Sequence, residues 1–248
     1  MPTEIKSRGP DFSPRAPRSL RVGGVVPFTA TDYPGEIAAV VFVQGCPWRC
    51  AYCHNPHLQP RTRNGALEWR AVLNLLSRRV GLLDAVVFSG GEPTGDPALG
   101  QAIRDVRKLG FKVGLHTAGT HPRRLREVLP LVDWVGLDVK ATFSDYASVA
   151  RVPSSGKHAL ASLEAVLASG VPYECRTTLH PELLPESKIL NLAHTLSAMN
   201  VTNYALQLFR TQGCDDDGLN AISMADYPDH ELIGRIAALF PAFTLRRG

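Results

Sequence analysis

Six segments of the chain are apolar almost without interruption and stop at glycine or at a polar turn. They are "AAVVFVQG", which ends just before Cys46, "DAVVFSGG" from Asp84, "FKVGLHTAG" from Phe111, "DWVGLDVK" from Asp133, "PYECRTTLH" from Pro172 and "NYALQLFR" from Asn203. Continuous apolar runs bounded by turn residues predict strands buried on both faces. Between them the apolar positions recur with helical spacing, at about residues 66–79, 97–109, 121–129, 158–169, 186–199 and 229–239. In "LEWRAVLNLLSRR", for example, Leu67, Val72, Leu75 and Leu76 are spaced to form one face of a helix. Strands alternating with helices predict a parallel sheet with right-handed crossovers. Six such units, without an early Gly-rich dinucleotide fingerprint, predict an α/β fold of the partial (β/α)6 barrel kind rather than a Rossmann sheet.

The length of 248 residues fits one such barrel domain over residues 21–248. The leader before it, residues 1–20, is rich in Pro, Arg and Ser and lacks the apolar middle of a secretory signal. No stretch approaches the ~18 uninterrupted apolar residues of a membrane span, so no membrane partner is expected and the cytoplasm is the expected compartment. The net charge of +4 is scattered rather than massed into a stripe, which argues against nucleic acid binding. "HPRRLREVL" and the pair Arg78 and Arg79 read as solvated helix faces, the other reading being a dock for an acidic electron donor.

Polar signals gather where the predicted strands end. Cys46, the "SGGEP" of Ser89 to Pro93, His116 with Thr117, the "DVK" of Asp138 to Lys140, and Gln207 with Arg210 all stand there. Barrel enzymes build their sites on that rim. Five cysteines are an odd number, and three of them lie within "GCPWRCAYCHNP", too close to pair readily, which points to metal or redox chemistry. The spacing of Cys46, Cys50 and Cys53 lets a loop fold back so that three thiolates face one centre, a donor set that suits iron and sulfur. A structural zinc site with His54 as fourth ligand is the alternative, although closed zinc sites usually join two separated ligand pairs and no second pair stands at the expected distance. On a four-iron cluster, three thiolates would leave one iron open to a small molecule.

"CPWRCAYC", with Tyr52 before the last cysteine, followed one strand later by "SGGEP", resembles the radical S-adenosylmethionine enzymes. The resemblance implies a partial barrel holding one [4Fe-4S] cluster on Cys46, Cys50 and Cys53, with S-adenosyl-L-methionine chelated on the open iron. Reductive cleavage would then give a 5′-deoxyadenosyl radical that abstracts hydrogen from a substrate. Gly90, Gly91 and Glu92 are implied to accept the methionyl ammonium, Tyr52 and His54 to lie beside the adenine, and Thr117 to stand near the ribose. Asp138 and Lys140, as "D-x-K", are implied to contact the nucleoside and the methionyl carboxylate.

The longer stretch "GGVVPFTATDYPGEIAAVVFVQGCPWRCAYCHNP" resembles the activating enzymes of glycyl-radical proteins, most closely the long type that activates anaerobic ribonucleoside-triphosphate reductase. That implies a glycyl-radical enzyme as substrate protein, with hydrogen removed from one glycine Cα, and reduced flavodoxin or ferredoxin as electron donor. A small molecule or a peptide is the alternative substrate; a zinc-stabilised binding module without catalysis is the alternative of another class. Two features depart from the pattern. "HTAG" puts His116 and Ala118 where activating enzymes often carry the Asp and Asn of "DTNG", which leaves the ribose contacts there open. Only about thirty residues separate Cys53 from the strand before "SGGEP", leaving no room for an insert with a second cluster. Cys175 is expected as a small core residue and Cys214 as an exposed loop thiol.

Overall fold

The computed structural model of the chain describes residues 19–62 and 65–247. The expected leader lies outside them except for Ser19 and Leu20, and Leu20 is buried in the core. Eight strands form one sheet in chain order: β1 (Val22–Thr29), β2 (Ala38–Val43), β3 (Ala85–Gly90), β4 (Lys112–Thr117), β5 (Trp134–Asp138), β6 (Tyr173–Leu179), β7 (Asn203–Leu208) and β8 (Ala242–Arg246). The first pair is antiparallel and every later pair is parallel. Among the described residues nothing pairs β8 with β1, so the barrel stays open there. Strands β2–β7 are the six expected ones, and the fold is a partial (β/α)6 barrel flanked by a hairpin strand and an extra parallel strand.

Among the described residues eight helices join the strands: α1 (Trp69–Ser77), α2 (Leu99–Lys108), α3 (Pro122–Val128), α4 (Tyr146–Ala150), α5 (Ser155–Ser169), α6 (Glu186–Ala198), α7 (Asp217–Asn220) and α8 (His230–Ala237). The buried face of α1 is Trp69, Val72 and Leu76 with Leu75 packed half-buried beside them, so of the expected face only Leu67 is missing. Glu68 is extended and the Leu67 amide bonds the Val22 carbonyl, so Leu67 is spent on a bridge to β1 and is exposed. Three elements escaped the periodicity: β8 alternates exposed and half-buried positions, while α4 and α7 are too short for a helical repeat to register.

Side chains alternate between the two faces of each strand. One face carries Val41, Val86, Phe88, Leu115, Leu137 and Leu206 into a core shared with Leu76, Ile103, Leu125, Leu163 and Ile236 of the helices. The other face points into the barrel. Near the strand N-termini, Ala38, Val40, Ala85 and Val87 pack with Tyr33 and Trp134, whose rings stack at 5.3 Å, and fill the barrel floor. Towards the strand C-termini the inward positions turn polar, giving Ser89, His116, Asp138, Arg176 and Gln207.

The loops after β2 and β3 meet backbone to backbone. The Gly91 amide bonds the Val43 carbonyl and the Glu92 amide bonds the Gly45 carbonyl, both at 2.9 Å. A Cβ on Gly90 would collide with the Val43 backbone, and its φ of +114° disfavours any other residue; a Cβ on Gly91 would lie 2.6 Å from the Gly45 oxygen. Replacing Gly90 with alanine is therefore expected to destabilise the chain by about 2–4 kcal/mol through backbone strain and overpacking. Urea denaturation measures it, and an unchanged midpoint would contradict the close approach.

Candidate active site

The cysteine loop is held mainly by main-chain bonds. Amides of Gly45 and Cys46 bond the carbonyls of Leu58 and Gln59, and those of Arg49 and Ala51 bond Ala150 and Val149 at the end of α4. Trp48, almost fully buried, packs edge-on against Tyr146 of the same helix at 5.4 Å. The Tyr146 hydroxyl donates to the Asp138 carbonyl and accepts from the Lys140 amide, each at 3.1 Å, so α4 ties the cysteine loop to the end of β5. No sequence signal marked α4, because it is only five residues long and its bonds to the cysteine loop reach about a hundred positions back.

Asp138 holds two cations. Lys140 Nζ lies 3.2 Å from one carboxylate oxygen and Arg176 Nη2 3.1 Å from the other. Burial opposes ionisation of Asp138, yet Lys140 and then Arg176 hold its carboxyl below the ordinary value. Burial also opposes the Lys140 ammonium, but the surrounding Tyr52, Asp138 and Cys50 groups keep it well above its ordinary range. Lys140 sits 5.3 Å over the ring of Tyr52. The Tyr52 hydroxyl is buried on the cavity wall without a hydrogen-bond partner, a state that costs about 1–3 kcal/mol. Arg176 was not singled out in the sequence; a lone arginine inside the apolar run "PYECRTTLH" was the available signal. Gly136 makes room for it, since a Cβ there would come within 2.7 Å of the guanidinium carbon.

Glu92 stands apart from the other expected site residues. It is fully buried, off the cavity wall, and takes bonds from Thr94 N (3.1 Å), Thr94 Oγ1 (2.5 Å), Thr117 Oγ1 (2.6 Å) and Ala118 N (2.9 Å). Four donors engage its carboxylate, and through two of them Glu92 holds Thr117 and Ala118 in place. Burial pushes its carboxyl above the ordinary value against the pull of those bonds. His116 and Ala118, where the familiar motif was broken, both face the cavity. His116 Nε2 lies 2.7 Å from the Asp32 carbonyl, which can only accept, so this nitrogen carries the proton and fastens the β1–β2 turn over the barrel. His54 Nε2 donates likewise to the Arg210 carbonyl at 3.0 Å, its ring stacked on Phe209. Cys175 is buried in the core, as expected. Cys214 is buried too, correcting the exposed thiol: it packs in the main core, and the Gly213 before it seats against the His54 backbone.

Cys46, Cys50 and Cys53 line one cavity of about 250 Å³ together with Tyr52, His54, Gly90, Gly91, Thr117, Asp138 and Lys140. A second cavity of about 530 Å³ shares Asp32, His54, His116, Arg176, Thr178 and Gln207 with it. Among the described residues no three His, Cys, Asp or Glu groups close on a point as one zinc ion would require. Three half-buried thiols around a cavity wall fit the broader face of an iron–sulfur cluster. Burial, and after it Glu92, pushes the Cys46 thiol up to about 12, and burial raises Cys50 as well, so metal ligation there releases protons. No helix among the described residues is long and apolar enough to cross a membrane.

Comparison with known proteins gives a match to the family described as the Radical SAM superfamily over residues 40–193. A provisionally named glycyl-radical enzyme activating enzyme of Methanocaldococcus jannaschii is 30% identical over 223 residues, covering 87% of this chain and 91% of that protein. A pyruvate formate-lyase-activating enzyme of Clostridium pasteurianum is 31% identical over 204 residues, covering 78% and 83%. Among solved structures, QueE of Escherichia coli superposes with a TM-score of 0.57 at 17% identity, covering 93% of this chain and 95% of that one. SuiB of Streptococcus suis, bound to S-adenosylmethionine, gives 0.64 at 13% identity, covering 82% and 48%. Both structures are alike in fold.

Two outcomes follow from this geometry. Burial, and after it Arg176, pushes the His116 imidazole from its ordinary 6.5 down to about 3, so the folded chain keeps it neutral while the unfolded chain protonates it below about 6.5. Its stability contribution should be complete above pH 6.5 and be lost as pH falls towards 3, by at most about 1.4 kcal/mol per pH unit. Denaturant titrations of the apoprotein should show that limb flattened in His116→Asn; parallel curves would count against it. Glu92→Gln puts an amide donor among four donors and should cost about 1–3 kcal/mol, read as a lower unfolding midpoint with Thr117 and Ala118 amide resonances shifted.

Proposed function

The chain belongs to the radical SAM superfamily, and from that premise we propose that it activates a glycyl-radical enzyme by removing a hydrogen from one glycine Cα. The cofactors are a [4Fe-4S] cluster and S-adenosylmethionine, and when bound they supply the one-electron chemistry that removes the hydrogen atom. The observation that carries the reading is the placement of Cys46, Cys50 and Cys53 on one wall of a cavity whose other walls are the rim residues of β3–β6. Two relatives named as activating enzymes, each matched over more than three quarters of this chain, support the glycyl-radical substrate class. The "DYPG" and "CHNP" text favours anaerobic ribonucleoside-triphosphate reductase as the partner, with reduced flavodoxin or ferredoxin as donor and the cytoplasm as the compartment. Membership of this family leaves the zinc-module alternative without support.

Within this reading the chain's own residues bind and orient. Cys46, Cys50 and Cys53 ligate the cluster. Gly90 and Gly91 bring their backbone beside the methionyl ammonium, and Lys140, steadied by Asp138, faces the methionyl carboxylate. Tyr52 and His54 lie beside the adenine, with Thr117 near the ribose. The filled floor beneath keeps bulk water from the reacting atoms.

The test mixes anaerobically reconstituted protein, S-adenosylmethionine, a reductant and the glycyl-radical enzyme encoded nearest to it. A glycine-centred EPR doublet is expected, along with 5′-deoxyadenosine and methionine. Cleavage without a doublet on any such partner would sink the activase reading and leave a small molecule or peptide as substrate. Cys50→Ala should lose four-iron assembly and cleavage together, by more than about a hundredfold in rate; full activity in that variant would overturn the ligand assignment.

A further inference from the structure

The second cavity is lined by four arginines, Arg176, Arg210, Arg246 and Arg247, against two carboxylates, Asp32 and Glu174. Two of the arginines are already matched. Arg246 makes a two-pronged pair with the buried Glu174, at 2.7 and 2.8 Å, and Arg176 is taken by Asp138. The Asp32 carboxylate accepts from Thr29 Oγ1 at 2.6 Å. Arg210 and Arg247 are exposed on the same wall, and among the described residues neither guanidinium meets a hydrogen-bonding or ion-pairing partner. The Arg210 backbone is nonetheless fixed, because its carbonyl accepts from His54 beside the cysteine loop. Two unmatched forks on one wall, that of Arg210 on a fixed backbone, sharing a side with the cysteine cavity, are a site for a planar anion.

We propose that this second cavity is the substrate's entry site and that Arg210 and Arg247 bind a carboxylate carried by the peptide segment that presents the target glycine. The proposal rests on the reading that a protein segment is the substrate. Its carboxylate has two sources, an acidic side chain near the glycine or the end of a chain, and the chemistry of recognition is the same for both. The bidentate Glu174–Arg246 pair keeps a buried carboxylate from competing for the two free guanidiniums.

The test is calorimetry on cluster-loaded, S-adenosylmethionine-saturated protein with short serine-rich peptides carrying one central glycine. One set is acetylated and amidated with a single glutamate at varied separation; a second replaces that glutamate with glutamine; a third keeps glutamine but frees the terminal carboxylate. Glutarate is the small-molecule probe. A glutamate peptide should bind at least about tenfold more tightly than its glutamine twin, and Arg210→Gln with Arg247→Gln should erase the difference while iron content and unfolding midpoint are kept. The pair of lysine substitutions should retain part of the preference, which separates lost charge from a damaged wall. Preference for the third set supports the site and assigns the chain end as its source. Arginine-dependent binding of glutarate without any peptide binding supports the anion site but overturns the protein-substrate reading. Equal affinities throughout, or a glutamate preference that survives the double glutamine variant, overturn the proposal. A missing EPR doublet with the glutamate preference intact would instead isolate the fault in the activase reading.

Discussion

The contact of Gly90 and Gly91 with the backbone of Val43 to Gly45 governs the rest of the site. Two main-chain bonds at 2.9 Å cross a gap that admits no side chain. The "GG" of "SGGEP" is thus explained within the chain before any ligand is considered: it lets the loop after β3 lie directly on the loop that carries the cysteines. The wall from Cys46 to Ala118 takes its position from that seam. Cys46 follows Gly45, Glu92 follows Gly91, and Glu92 then fixes Thr117 and Ala118 at the end of β4 through two of its four bonds. A backbone-to-backbone joint has few rotamers to choose among, so the order it imposes passes from β2 to β4 with little conformational freedom left to remove.

Charge is distributed along the same line. The barrel interior holds Asp138 with Lys140 and Arg176, and Glu174 with Arg246, each carboxylate matched by at least one cation. Buried ions tolerate a low dielectric only when matched in this way. The unmatched guanidiniums of Arg210 and Arg247 lie at the rim, where a ligand can reach them. The interior is therefore electrically quiet along the strands and becomes demanding only at their C-terminal ends.

Much of this was legible in the linear text. The six apolar runs are the strands because each is buried on both faces, and the helical repeats fall within a few residues of α1, α2, α3, α5, α6 and α8. The cysteine loop and its neighbours on β3, β4 and β5 could be gathered because strand ends share a rim. What escaped depends on distant pairing. Glu174 meets Arg246 across 72 positions and His116 meets Asp32 across 84, and nothing local marks either. The four donors on Glu92 come from the residues around Thr94 and Thr117, and only the fold supplies their convergence. Cys214 looked exposed because an acidic loop surrounds it, yet its own side chain turns into the core. Strand β8 alternates as an edge does, and α4 earned no signal at five residues.

The filled floor of the barrel has a consequence for how such a fold can change over time. Tyr33, Trp134, Val40 and Val87 leave no space to enlarge the chamber downwards, and altering them disturbs the packing of three strands and the β1–β2 turn at once. New specificity must come from the opposite end, where exposed positions such as Arg210 and Arg247 contribute side chains without bearing the core. Descendants of this chain could thus exchange one client for another by rewriting a few terminal residues, with the inherited radical chemistry left intact below.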